Sequence, residues 1–178
     1  EGTMSQRSRF VASSRGFTLL ETAIACAVFV VGIFGLLSAM NSATVLETVT
    51  METLIARDAV RKKSEELQDL QDDTNFRTIF ATYNDKTFSV PEMRPWSDLP
   101  VVGSVRFPTG GTAQLLETVV DPKLGMPRDL DGANGIDTSD HAANYKLLPC
   151  TVRVDWSGPR GEEYFELNLL LTSRRAAQ

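Results

Sequence analysis

The sequence predicts an α+β fold, with one long N-terminal α-helix packed against a small antiparallel β-sheet of about four strands. Three observations predict it. An uncharged apolar run, Thr22 to Met40, continues into an amphipathic stretch with helical spacing. No proline occurs before Pro91. Beyond Pro100 the hydrophobic period changes to two, and Gly- and Pro-rich turns separate the alternating segments. The apolar content of 42% over 178 residues is ordinary for one modest domain plus a helix, which excludes disorder throughout.

Thr22 to Met40 contains Ala, Val, Ile, Leu, Phe, Met and Cys with Gly32, Gly35 and Ser38 interspersed. As a helix it rises roughly 28 Å, close to the thickness of a hydrocarbon core. Arg7, Arg9 and Arg15 precede it, and one acid, Glu21, stands at its start. A cleaved secretory signal fits poorly, because the run is long and Ser38-Ala39-Met40 is a weak cut site. A plain anchor fits the length, with the arginine end cytoplasmic. Neither reading explains Glu21, since acids within a span usually have a partner.

The amphipathic stretch runs from Asn41 to Asp73. Val45, Val49, Ala56, Ala59, Val60, Leu67 and Leu70 recur at helical spacing, with acids and bases on much of the remainder. This predicts a single helix from Phe17 to Asp73, about 80 Å long if straight. Its charged face is read as solvated, with ion pairs between subunits as the alternative.

Residues 74–100 read as a connecting loop with one short strand, Thr87 to Val90, because Pro91, Pro95 and Pro100 break regular structure. Val101–Phe107 and Thr112–Val120 flank Pro108-Thr109-Gly110-Gly111 and read as a hairpin. Tyr145–Trp156 and Glu163–Thr172 flank Ser157–Gly161 and read as a second. In the latter pair polar and apolar residues alternate, as in a sheet laid on a helix. Pro149 and Cys150 are placed at a strand edge or bulge. Cys26 lies in the apolar run and Cys150 does not, so no intrachain disulfide is expected.

Asp129-Leu130-Asp131-Gly132-Ala133-Asn134-Gly135-Ile136-Asp137-Thr138-Ser139-Asp140 is the second informative stretch. Hard cations take six to eight oxygens from a flexible loop. Counted from Asp129, acids stand at positions one, three, nine and twelve, the ligand positions of an EF-hand-type loop. Asn134 replaces the usual Gly, Ala133 fills the fifth place, no Glu closes the loop and no helices flank it. The expected cofactor is calcium, held by Asp129, Asp131, Asn134, Asp137 and Asp140. The alternative is a metal-free acidic turn rich in Asx caps.

Other constellations are weak. His141 is the single histidine and reads as a surface residue beside the acidic loop. Trp96 and Trp156 read as packing residues. There is no G-x-S-x-G, P-loop or C-x-x-C, so no enzyme is expected. The net charge of −5 is more negative still once the basic leader is set aside, which argues against nucleic-acid binding.

Gly16-Phe17-Thr18-Leu19-Leu20-Glu21 resembles the prepilin cleavage and methylation motif of type IV pilins and type II secretion pseudopilins. The motif and its helix cover about a quarter of the chain. The resemblance implies a pilin-like fold, a leader over 1–16 and cleavage after Gly16 by a prepilin peptidase. It also implies N-methylation of Phe17, and assembly through contact between Glu21 and the new amino terminus of a neighbouring subunit. The helix divides into a transmembrane and assembly part, 17–40, and an amphipathic part, 41–73, below a globular head, 74–178. A start at Met4 would shorten the leader. The helix-breaking proline of many major pilins is missing, which removes the basis for helix melting on assembly.

The segment Val31-Gly32-Ile33-Phe34-Gly35-Leu36-Leu37 and the closing Val152–Trp156 strand resemble V-type minor pilins and I-type minor pseudopilins. Some pseudopilin heads carry calcium loops, which adds to the reading of 129–140. The implied partners are other pilin or pseudopilin subunits, prepilin peptidase, an inner-membrane assembly platform and membrane lipid. The implied location is the bacterial inner membrane, single-pass with the head extracytoplasmic, and then the filament. The competing class is a singly anchored extracytoplasmic binding protein that never polymerises. An anchored hydrolase lacks a nucleophile and base.

Overall fold

A computed structural model describes residues 18–94 and 100–173, apart from the Asp73 side chain. The leader, Gly16, Phe17 and Trp96 lie outside the described residues. The fold is α+β: a long N-terminal helix and a four-stranded antiparallel sheet. The chain forms two compact units that meet at Thr44 and Val45 in sequence.

The first unit contains the start of α1, which runs Leu19–Asp69. Thr18 caps it: its Oγ1 accepts the Glu21 N–H at 3.2 Å. Thr-x-x-Glu at a helix start is the capping-box pattern. From Leu19 to Thr44 every residue is exposed. The helix is long and apolar enough to cross a membrane, so the chain is compatible with a single span.

In the second unit α1 buries one stripe. Ala56, Val60 and Leu67 are fully buried, and Ile55 and Ala59 pack beside them. These intervals keep them on one helix face. The helix ends at Asp69 rather than Asp73. Gln71 N–H turns back to the Gln68 carbonyl, and Asp72 is extended. Residues 74–83 are not a loop. Two short helices, α2 (Asp73–Phe76) and α3 (Ile79–Tyr83), bury Phe76, Ile79 and Phe80. The buried Tyr145 hydroxyl joins them, donating to the Phe76 carbonyl and accepting the Phe80 N–H.

The sheet order is β1 (Thr87–Ser89), β2 (Val102–Arg106), β3 (Leu147–Gly158) and β4 (Gly161–Thr172), each antiparallel to the next. Leu148, Cys150, Val152, Val154 and Trp156 of β3 are buried on one face. Trp156 indole N–H donates to Glu52 Oε2 at 3.2 Å, tying β3 to α1. On the other face Arg153 lies over the Tyr164 ring and pairs with Asp155 and Glu166. The expected closing hairpin is present, with its turn at Pro159 and Arg160. Pro149 is an interior β3 residue without a bulge. It lies beyond the end of β2, so its missing N–H interrupts no β2–β3 pair.

The expected hairpin of Val101–Phe107 with Thr112–Val120 does not form. β2 pairs instead with β3, forty residues on, and with β1. Gly110 and Gly111 take positive φ and lead the chain out of the sheet. The alternation at Leu115 and Glu117 is real, since both are fully buried. Its backbone partner, however, is the acidic loop: Leu115 N–H donates to Asp140 Oδ1, and the Leu115 carbonyl accepts the His141 N–H.

Candidate functional site

Glu21 stands in the first turn of α1 and is exposed. An acid there interacts favourably with the positive helix end. The cleavage and methylation positions Gly16 and Phe17 precede the described residues, so only Glu21 of that motif's predicted site residues has a described environment.

The acidic loop is built from side chains that fold it onto itself. Asp129 receives the N–H groups of Gly132, Ala133 and Asn134 at 2.6, 3.3 and 2.8 Å. Gly132 and Asn134 are in the left-handed region, at φ of 72° and 65°. Asn tolerates that region better than most residues, so Asn134 meets the conformational demand an EF-hand loop places on Gly. Asp131 accepts from Ala133 N–H and from the Asn144 side-chain amide, both at 2.9 Å. Asp137 accepts the Ser139 N–H at 2.6 Å. Asp140 caps Leu115 and Ala142, each at 3.0 Å.

These bonds shift two acids. Desolvation raises the Asp129 carboxyl, but its backbone donors together outweigh this and hold it below the ordinary 3.8. The Ser139 backbone N–H, helped by the Ser139 hydroxyl and His141, holds Asp137 below it too. A carboxyl depressed on folding adds stability above its unfolded value and loses it as pH falls through the folded one. These two groups therefore stabilise the fold above their ordinary value, and that contribution fades as pH falls through their folded values.

His141 is not a surface residue. It is 2% exposed, because its N–H and carbonyl are both engaged, with Leu115 and with the turn into Tyr145. Its Nε2 is 3.1 Å from Asp137 Oδ1 and 3.6 Å from Glu117 Oε1, and its Nδ1 is 3.7 Å from Asp131 Oδ2. Glu117 was not singled out by sequence, yet it organises the site. Fully buried, it accepts the Leu130 N–H on Oε1 at 2.6 Å and the Asp137 N–H on Oε2 at 3.1 Å. The available signal was a single charge inside the apolar alternation Leu115 to Val120.

Two groups of possible ligand atoms result, each with its atoms within 4.8 Å of one another: Glu117, Asp129 and Asp131, and Glu117, Asp137 and His141. Of the other loop acids, Asp140 belongs to neither. No family model, curated protein or solved structure matches this chain.

Proposed function

We propose that this chain is a structural subunit, of minor type, of a type IV pilus or a type II secretion pseudopilus. The single observation that carries the reading is Glu21. It is the one charged residue from Phe17 to Met40, and it stands at the capped start of a helix able to cross a membrane. Gly16 and Phe17, ahead of it across Thr18-Leu19-Leu20, complete the prepilin motif. In this reading the precursor sits in the bacterial inner membrane with its head outside the cytoplasm. Prepilin peptidase processes it, and an assembly platform passes it into the filament beside other subunits. The V-type and I-type minor subunits are the nearest in character.

Processing tests this reading. Co-expressed with a prepilin peptidase, the chain is expected to be cut between Gly16 and Phe17 and to gain one methyl group, read by intact-mass spectrometry. Gly16→Leu is expected to block the cut. A full leader retained beside an active peptidase would sink the proposal.

The reading includes calcium in the head, held at Asp129, Asp131 and Glu117. Its support is the convergence of these three carboxylates and the EF-hand-like order of the loop. Binding to the folded state alone adds about 2.7 kcal/mol at one hundred times the dissociation constant. The full chain in detergent is expected to melt several degrees higher in millimolar calcium than in chelator, with a smaller effect from magnesium, which demands tight octahedral geometry. Asp131→Ala is expected to reduce the shift. Equal melting temperatures in calcium and chelator would leave the loop a hydrogen-bonded turn.

A further inference from the structure

We infer that the buried side of the acidic loop is a second cation position, for a divalent ion of the zinc class, held by His141 Nε2, Glu117 and Asp137. Imidazole nitrogen suits zinc and its neighbours, whereas calcium and magnesium prefer all-oxygen sets. Ligand atoms 2.0–2.1 Å from a tetrahedral ion stand about 3.3–3.4 Å apart. Nε2 lies 3.1 Å from Asp137 Oδ1 and 3.6 Å from Glu117 Oε1, a spacing that brackets that value.

The unused nitrogen supplies the second observation. His141 Nδ1 is buried and has no hydrogen-bond partner among the described residues, and it faces Asp131 Oδ2 at 3.7 Å. With Nε2 on an ion, the ring proton sits on Nδ1 and Asp131 is its acceptor. That is the usual way a carboxylate orients a metal-bound histidine. Among the described residues no lysine or arginine pairs with Glu117, Asp131 or Asp137. A divalent ion compensates the buried Glu117 charge. Asp137, whose side chain is 61% exposed, gives the ion a path from solvent and leaves room for water at the fourth position.

Cobalt is the spectroscopic stand-in for zinc. The full chain in detergent, with Cys26→Ser to remove the exposed thiol, is stripped with chelator and titrated with cobalt. The other thiol does not compete, because burial pushes Cys150 up to about 12. The expected result is the strong visible absorption of four-coordinate cobalt, saturating at one equivalent and displaced by zinc. His141→Gln and Asp137→Asn are each expected to weaken binding at least about tenfold. Asp137→Asn is the safeguard against misfolding, being on the exposed side. Asp129→Asn is expected to leave cobalt uptake unchanged, which separates this position from calcium at Asp129 and Asp131. Absence of a saturable band, or binding by His141→Gln equal to wild type, would overturn the inference.

Discussion

Glu21→Ala subunits are expected to enter the membrane as well as wild type and to be nearly absent from filaments. Insertion survives because removing a carboxylate makes the span more apolar. Assembly fails because the proposed partner, a neighbour's amino terminus, is left as an unpaired charge in an apolar surround. Breaking a buried ion pair in this way costs about 3–5 kcal/mol, at least a hundredfold in incorporation. Glu21 also occupies the third helical position behind the Thr18 cap, so loss of capping must be separated from loss of charge. Glu21→Gln does this, since Gln serves in a capping box but carries no charge. Glu21→Gln is expected to fail like Glu21→Ala. Membrane fractionation and quantification of sheared filaments read both steps.

Glu117→Ala is expected to be the most damaging single change in the head outside the hydrophobic core. Its two oxygens satisfy two backbone donors, Leu130 N–H and Asp137 N–H, in a fully buried position. An orphaned buried donor costs about 1–3 kcal/mol, so the pair costs about 2–6 kcal/mol. That is a large share of the roughly 5–15 kcal/mol that holds a domain folded. Thermal unfolding of the full chain in detergent checks it, without added metal. By contrast, Asp140→Asn keeps an acceptor oxygen for Leu115 and Ala142 and is expected to cost much less.

The long helix and the closing hairpin were legible because their signals are local. An uninterrupted helical period marks Leu19–Asp69, and two alternating runs flank a Gly-Pro turn before β4. Phe76, Ile79 and Phe80 also stand at helical spacing, but helices of four and five residues are too short to show a period. The hairpin assigned to 112–120 failed for another reason. Alternation reports which face is buried and not which chain covers it, and here the acidic loop and Glu117 take the place of a strand. The site followed the same rule. The acids of 129–140 could be read off the chain, while Glu117 and the burial of His141 depend on a contact between segments that folding brings together.

Peptide mass spectrometry of filaments sheared from cells that express the chain natively reads processing and incorporation together. The filament fraction is expected to contain the chain with N-methyl-Phe17 at its amino terminus and no leader. A chain found wholly in the membrane fraction while other subunits fill the filaments would contradict it, and would favour an anchored binding protein that does not polymerise.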